Sequence, residues 1–206
     1  MALRRTLGLV VCGGQSRRMG CDKALMDLAG ARLVDRAVDA LAPFTDEVSL
    51  ATGSRPRYVE LGRECILDEV ADAGPLSGLV AGLRVARESN FDALLVTACD
   101  TPRASAAVFG VLAKRLSEGS ADAVLLRTEH GVEPLIAAYR TTCFEPALAA
   151  LAAGRRRMTS FHEAVEIEHV HAAELTVEAP ATNVNTPEEL EAERLYFGSC
   201  SGERSA

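Results

Sequence analysis

Near its start the chain carries the apolar run Thr6-Leu7-Gly8-Leu9-Val10-Val11, which leads through Cys12 into the loop Gly13-Gly14-Gln15-Ser16-Arg17-Arg18-Met19-Gly20-Cys21-Asp22-Lys23. A short apolar run rich in leucine and valine is typical of a strand buried on both faces of a sheet. Glycines allow backbone N–H groups to approach a ligand closely, and the loop's cations neutralise phosphate charge. The stretch therefore predicts a buried strand that ends in an anion-binding loop.

The loop differs from the two best-known phosphate-binding loops. Gly14 and Gly20 are separated by five residues, and Cys21-Asp22 stands where a P-loop has lysine followed by serine or threonine. A dinucleotide-binding loop needs Gly-x-Gly-x-x-Gly, whereas Gly13 and Gly14 are adjacent. Both assignments are rejected. An ordinary strand-to-helix turn with surface arginines remains the alternative.

Further apolar runs predict more strands, at Glu47–Ala51, Cys65–Leu67, Ala93–Ala98 and Ala123–Leu126. Between these runs, apolar residues recur at helical spacing and predict three helices. The second would start at Pro75 and the third would be capped by Ser105. The apolar positions are Val34, Ala37, Val38 and Leu41 in the first helix, Leu76, Leu79, Val80 and Leu83 in the second, and Val108, Val111, Leu112 and Leu116 in the third. Strands that alternate with helices indicate an α/β fold with a mostly parallel central sheet and helices on both faces.

The second half of the chain changes character. Pro134–Tyr139 reads as a strand and Phe144–Ala153 as a helix, and we interpret 133–170 as an elaboration at the sheet edge, because no linker precedes it. Thr186 caps a final helix that is predicted to run through Leu195. The sequence therefore predicts a single domain over 1–197, followed by a polar tail without fixed structure at 198–206.

Composition argues against several classes of protein, namely nucleic-acid-binding, membrane-spanning, secreted and zinc-binding proteins. The 206 residues are 48% hydrophobic, enough for one domain with a substantial core. The net charge of −7 argues against a broad nucleic-acid surface. No apolar stretch reaches the ~20 residues of a membrane span, and no signal peptide is apparent, so we expect a cytoplasmic protein. The six cysteines form no Cys-x-x-Cys pair and no group with the four histidines, which excludes a structural zinc site.

Two acidic residues follow predicted strands. Asp100 comes after Ala93–Ala98, and Asp68 closes Cys65-Ile66-Leu67. In parallel sheets, ligands bind beyond the carboxyl ends of the strands, where the glycine-rich loop also lies. Magnesium is usually held by one or two carboxylates together with substrate phosphates and water. Asp100 is therefore the candidate metal ligand, with a simple turn residue as the alternative, and Asp68 is either a second site residue or a helix cap.

Three further features carry weaker signals. In Gly74-Pro75-Leu76-Ser77-Gly78-Leu79 and at Gly82, small residues on a helix permit a base or ribose to pack closely. Arg155-Arg156-Arg157 is the best remaining site for a second phosphorylated substrate, although such runs are usually solvated faces. The histidines show no metal-ligand spacing, and we interpret them as surface or strand residues.

Together these motifs resemble those of the molybdenum cofactor guanylyltransferase family. The family pattern stands here as Gly13 to Lys23, Asp68 with Gly74 to Leu79, Cys99-Asp100-Thr101-Pro102, and Asn183-Val184-Asn185-Thr186-Pro187-Glu188-Glu189-Leu190. Glu133 to Arg140 is similar to the family's edge segment. The match spans residues 6 to 196. It departs from the family at Cys12, where an alanine is common, and at Ala51-Thr52-Gly53, where many members carry an asparagine.

The resemblance implies a three-layer, Rossmann-like nucleotidyltransferase fold. It also implies a magnesium-dependent transfer of GMP from GTP to the molybdenum-molybdopterin cofactor, with release of pyrophosphate. It implies nucleotide-binding roles for Val11, Cys12, Gly13, Gly14, Lys23, Asp68 and Asp100. Asp100 would hold Mg²⁺, and Lys23, Asp100 and Arg18 are the candidate catalytic residues. The pterin substrate is expected at Asn183, Asn185, Arg155, Arg156 and Arg157. Transient contact with molybdoenzyme maturation proteins is a further expectation, with neither nucleic acid nor membrane as a partner.

Three other functions stay open from the sequence. The first is a cytidylyltransferase for the same cofactor, although the Gly-Gly form of the loop favours guanine. The second is another nucleotidyltransferase, one that acts on a sugar or an alcohol. The third is a non-catalytic carrier of the cofactor, against which the intact loop, lysine and acid argue, because a carrier has no need of a metal carboxylate.

Overall fold

The computed structural model describes residues 3–12, 22–68, 70 and 73–202, except for the side chains of 200–202. Gly13, Gly14 and Arg18, which the sequence analysis assigns to the nucleotide, lie outside these ranges. The strands are β1 (Thr6–Val11), β2 (Asp27–Leu28), β3 (Ala31–Arg32), β4 (Glu47–Ala51), β5 (Cys65–Ile66), β6 (Ala93–Ala98), β7 (Ala123–Thr128), β8 (Gly131–Arg140) and β9 (Ile167–His171). The α-helices are α1 (Leu33–Leu41), α2 (Pro75–Glu88), α3 (Ala106–Glu118), α4 (Phe144–Ala152) and α5 (Pro187–Gly202).

Within the described ranges, seven strands form one sheet in the order β5-β4-β1-β6-β8-β7-β9. β8 runs antiparallel to its neighbours β6 and β7, and the remaining pairs of neighbours are parallel. The carboxyl ends of β5, β4, β1, β6, β7 and β9 therefore share one edge of the sheet, together with the start of β8. Strands β2 and β3 form a separate hairpin. The predicted α/β class with a mostly parallel sheet is confirmed.

Helices cover both faces of the sheet. One core packs α2 and α4 against it and contains Leu9, Leu79 and Phe144, and the other packs α1 and α3 and contains Val10 and Leu112. Neighbouring residues of a strand point to opposite faces, so the continuous apolar run of β1 supplies both cores. This confirms the three-layer arrangement. A smaller core joins the β2–β3 hairpin to α5.

Gly82 has a packing role that the sequence analysis assigned differently. A Cβ at this position on α2 would lie 2.6 Å from Cδ2 of Leu9 and 3.3 Å from Cδ2 of Leu94. Gly82 therefore lets α2 approach the sheet, and the expectation that it makes room for a base or ribose was wrong. A Cβ at Gly78 would lie 3.4 Å from Oδ1 of Asp68, so Gly78 does border a candidate site residue.

Several element boundaries differ from the predictions. β8 begins at Gly131, ahead of Pro134, and β9 was not predicted as a strand. The last helix continues past Leu195 to Gly202, so the tail expected from 198 is helical up to that point, while 203–206 lie outside the described residues. Among the described residues, no helix is long and apolar enough to cross a membrane.

Candidate active site

Lys23 opens a short 3-10 turn, Lys23–Leu25, directly after the glycine-rich loop. Asp22 caps this turn, because its Oδ1 accepts a hydrogen bond from the backbone N–H of Ala24 at 3.2 Å. The same carboxylate accepts the hydroxyl of Tyr58 at 2.8 Å and forms an ion pair with Arg57. Burial, reinforced by that hydrogen bond, raises the pKa of Tyr58, so the phenol stays protonated and keeps donating. Asp22 thus fixes the backbone that carries Lys23.

Asp100 lies at the carboxyl end of β6, where the strand gives way to a tight turn. Thr101 supports the turn by donating its hydroxyl to the carbonyl of Ala98 at 2.9 Å. Oδ2 of Asp100 lies 2.9 Å from Nζ of Lys23, and the two side chains are only 26% and 14% exposed. Lys23 and the carboxylate of Asp100 therefore meet at one point on the sheet edge. This is the juxtaposition that the sequence analysis required.

Asn185 completes this cluster from the far end of the chain. Its Oδ1 also accepts from Nζ of Lys23 at 2.9 Å. The preceding residue, Val184, is buried and donates its backbone N–H to the carbonyl of Asp100 at 2.8 Å. Glu189 accepts the backbone N–H of Asn185 at 2.6 Å, so the start of α5 holds the segment in place. One ammonium group is therefore shared by two oxygens from distant parts of the sequence.

A buried ion pair connects α5 to the turn after β6. Arg103 donates to both carboxylate oxygens of Glu193, at 2.9 and 2.8 Å, and Glu193 is 2% exposed. The guanidinium also stacks on the ring of Tyr196, 3.6 Å from its centroid. Sequence analysis missed these residues, because neither belongs to a motif and their pairing spans 90 positions. The pair stabilises the contact between the Asp100 turn and the Asn185 segment.

The nucleotide-binding residues predicted on β1 lie at the same edge. The backbone N–H groups of Cys12 and Cys99 bond to the carbonyls of Ala51 and Val11, which continues the sheet by one residue. Burial raises the pKa of the Cys12 thiol to about 12 and that of Cys99 well above its ordinary value. Both thiols stay protonated at neutral pH, so neither is an activated nucleophile.

Asp68 lies further along the edge, beyond β5. Its backbone N–H bonds to the carbonyl of Gly53 at 2.9 Å, and its half-buried side chain borders Gly78 at the start of α2. Asp68 is therefore a residue of this edge, as predicted. It lies at the β4–β5 end of the sheet, whereas Asp100 follows β6.

The remaining candidates lie around the same edge. Arg155, Arg156 and Arg157 are exposed in the connection after α4. The carbonyl oxygen of Arg156 lies 3.7 Å from where a Cβ of Gly74 would be, so the arginines adjoin the N-terminus of α2. Asn183 is exposed and donates its amide to the carbonyl of Ala181 at 3.2 Å. The fold thus places the arginines beside α2, and it places Asn183 two residues from the contact with Lys23.

Known proteins resemble this chain in sequence and in fold. Residues 8–170 match the family of MobA-like NTP transferase domains. A probable molybdenum cofactor guanylyltransferase of Pelotomaculum thermopropionicum is 31% identical over 189 residues, which is 89% of each protein. A molybdenum cofactor guanylyltransferase of Cereibacter sphaeroides is 36% identical over 90% of this chain and 94% of that protein.

Solved structures share the architecture. The molybdopterin-guanine dinucleotide biosynthesis protein A of Archaeoglobus fulgidus superposes with a TM-score of 0.78 over 94% of this chain and 99% of its own, at 23% identity. A nucleotidyl transferase of Methanothermobacter superposes with a TM-score of 0.74 at 19% identity. At these identities the likeness shows the fold. Because the family model matches residues 8–170 and the two guanylyltransferases are 31% and 36% identical over most of their length, the chain belongs to the MobA-like NTP transferase domain family. The resemblance to molybdenum cofactor guanylyltransferases that its motifs carry is confirmed.

Proposed function

We propose that this protein transfers GMP from GTP to the molybdenum-bound molybdopterin cofactor, giving the guanine dinucleotide form of the cofactor and pyrophosphate. The observation that carries the proposal is the ammonium of Lys23, held 2.9 Å from oxygens of both Asp100 and Asn185 at the carboxyl edge of the sheet. The relatives named molybdenum cofactor guanylyltransferase support the same reaction.

The reaction joins two phosphates. A terminal phosphate oxygen of the pterin substrate attacks the α-phosphorus of GTP, and the bond from that phosphorus to the β-phosphate oxygen breaks as pyrophosphate leaves in line. Transfers of this kind depend on positioning and on charge neutralisation more than on a covalent nucleophile. Lys23 supplies a compact positive charge beside the phosphates, and the protonated Cys12 and Cys99 take no part as nucleophiles. We propose that Arg18 contributes a second positive charge beside the phosphates.

The donor set fits Mg²⁺. A carboxylate oxygen of Asp100 and the amide oxygen of Asn185 converge on one cation, the Lys23 ammonium, and oxygen donors are those that magnesium prefers. The described residues contain no group of three or more acidic, histidine or cysteine side chains built for a metal. We propose that substrate phosphates and water supply most of the metal's ligands. When bound, the metal would neutralise charge on the phosphate oxygens.

Guanine is the base that best fits Asp68. Guanine presents two adjacent N–H donors, on N1 and on the 2-amino group, and a carboxylate accepts such a pair. Cytosine presents one amino group beside an acceptor nitrogen, which a carboxylate repels. The position of Asp68 next to Gly78, near the ends of β4 and β5, supports a role in reading the base. Asp68→Asn should therefore weaken the preference for GTP over CTP.

We assign the pterin substrate to the side of the transferred phosphate that lies opposite the guanine. Asn185 accepts a hydrogen bond from the Lys23 ammonium, and Asn183 precedes it by two residues, which supports assigning both to that substrate. The exposed Arg155, Arg156 and Arg157 are assigned to its phosphate, because guanidinium groups at a surface can neutralise an incoming phosphate and donate hydrogen bonds to it. The proposal includes a cytoplasmic site of action and transient contact with molybdoenzyme maturation proteins, since the product must reach an apoenzyme.

Product analysis tests the reaction. The purified protein is incubated with magnesium, molybdenum-charged molybdopterin and GTP, CTP or ATP, and pyrophosphate release and product mass are measured. We expect the guanine dinucleotide cofactor with GTP and little product with the other nucleotides. Strict use of CTP would replace the guanine assignment by a cytidylyltransferase. Tight cofactor binding with no dinucleotide product would identify a carrier.

A further inference from the structure

A cavity of about 670 Å³ has Asn183 in its wall, two residues before Asn185, which contacts Lys23. Its walls are the turn that joins β7 to β8 and the segment that leads from β9 to α5, and they include Glu129, Glu133, Val177, Pro180 and Asn183. Pockets that bind small molecules usually measure about 300–1,000 Å³ and combine apolar walls with a few polar groups. The cavity therefore has the size and lining of a site for a small heterocycle.

Its position links it to the reaction. β7 runs in the same direction as β6, because each is antiparallel to β8, so the β7–β8 turn lies at the same sheet edge as Asp100. Asn183 lines the cavity, and its neighbour Val184 bonds to the carbonyl of Asp100 at 2.8 Å. A molecule seated here would reach the phosphate-transfer site along the Asn183–Asn185 segment.

Glu133 lines this cavity and can accept hydrogen bonds there through its carboxylate. It stands on β8 opposite Leu126, where the pairing with β7 shifts register, and its side chain is half-buried. Burial raises the pKa of its carboxyl, and the nearby His130 opposes that rise. Within the described ranges, its carboxylate forms no ion pair and no hydrogen bond with another side chain, so both oxygens remain available as acceptors.

We propose that the cavity holds the pterin ring of the second substrate and that the carboxylate of Glu133 accepts hydrogen bonds from its 2-amino group and its N3–H. This inference rests on the proposed function. A pterin exposes these two donors side by side, and a carboxylate accepts them as a pair. Guanine exposes the same pair of donors, so the enzyme has to bind two similar hydrogen-bonding edges at two different sites.

The proposal assigns one carboxylate to each ring, Asp68 to guanine and Glu133 to the pterin. Asp68 follows β5, at one end of the sheet order, while Glu133 lies on β8, across β4, β1 and β6. Lys23 and Asp100 lie between them, at the ends of the central strands. The guanine and pterin edges are thus assigned to opposite sides of the phosphate that is transferred. This separation explains how similar heterocycles avoid competing for one pocket.

The test compares Glu133→Gln with Asp68→Asn, which remove one charge each at nearly constant volume. We expect Glu133→Gln to raise the KM for molybdopterin about 10- to 100-fold, the effect of losing a hydrogen bond to a charged group, while the KM for GTP stays within twofold. Asp68→Asn should show the reverse pattern. Glu118→Gln, an exposed change at the end of α3, serves as the charge-matched control and should alter neither KM.

Equilibrium binding of molybdopterin in the absence of nucleotide separates this inference from the proposed function. If wild type binds molybdopterin and Glu133→Gln binds it at least 10-fold more weakly, the pterin pocket stands even when GTP is not the nucleotide. Equal affinity for wild type and Glu133→Gln overturns the pocket, whatever the product assay gives. An increase in the KM for GTP alone in Glu133→Gln would also overturn it, because the cavity would then hold the guanine.

Discussion

Nζ of Lys23 lies 2.9 Å from Oδ2 of Asp100, although 77 positions separate the two residues along the chain. The pair is largely shielded from water, with side-chain exposures of 14% and 26%. A charge pair in such surroundings interacts more strongly than one at an open surface. In the proposed reaction, a nucleotide phosphate and its counter-ion would meet at this pair. The following predictions test what each group contributes there.

Replacing Lys23 by methionine removes the charge and keeps most of the volume. We expect turnover to fall by about 10²- to 10³-fold, the loss typical of one electrostatic group aimed at the transition state. The measurement is pyrophosphate release at saturating substrates. Unchanged turnover would remove Lys23 from the mechanism.

Asp100→Asn replaces a carboxylate by an uncharged group of the same shape. Turnover should be abolished while the thermal unfolding midpoint stays close to that of the wild type, since Thr101 and Val184 still hold the turn through backbone carbonyls. Calorimetry and the pyrophosphate assay measure the two effects on one sample. A variant that loses its thermal transition would show that Asp100 is a structural residue.

Breaking the buried pair of Arg103 and Glu193 should destabilise the protein. Arg103→Met leaves the carboxylate of Glu193, which is 2% exposed, without its partner, and we expect a loss of about 3–5 kcal/mol in the free energy of unfolding. The double variant Arg103→Met/Glu193→Met should recover most of that loss, because no charge then stays buried. Urea unfolding measures the free energy of unfolding of the single and the double variant. Equal losses in the single and double variants would contradict this account.

The three arginines after α4 are predicted to bind the pterin phosphate. Each arginine is replaced by serine in a separate variant: Arg155→Ser, Arg156→Ser and Arg157→Ser. At least one variant should raise the KM for molybdopterin about 10-fold without changing the KM for GTP. Arg63→Ser, an exposed arginine in the connection before β5, is the control. If all four variants behave as the wild type, the arginines are a solvated surface.

His162 should make stability depend on pH. Burial, together with the nearby His169, lowers its pKa below the ordinary 6.5, and within the described residues its Nε2 is buried without a hydrogen-bond partner. The unfolded chain therefore binds more protons, so stability is present above pH 6.5 and is lost as the pH falls toward the folded pKa. The unfolding midpoint should drop between pH 7.5 and 5.5, and His162→Met should reduce that drop. An equal drop in both proteins would show that other groups cause it.

Local patterns predicted the central strands and the helices that flank them. β1 and β6 are buried on both faces, so each appears in the sequence as one continuous apolar run. β9 was missed because it is a short edge strand in which only Ile167 and Val170 are apolar, and the adjacent Glu168 and His169 break the alternation that predicts a strand. Gly82 was misread for a related reason, since only the packing of α2 on Leu9 shows that it has no room for a side chain.

The sequence by itself determined the fold class, through strands that alternate with helices, and the family, through its motifs. It also predicted Lys23, Asp100 and Asn185 as candidate site residues, because each lies in a short contiguous motif. Only the tertiary structure decided that Lys23 bridges Asp100 and Asn185, that Arg103 pairs with Glu193, and that Glu133 borders a cavity. These contacts join positions far apart in the chain. Which distant segments meet depends on how the sheet orders its strands and where its helices pack, and no short stretch of sequence contains that information.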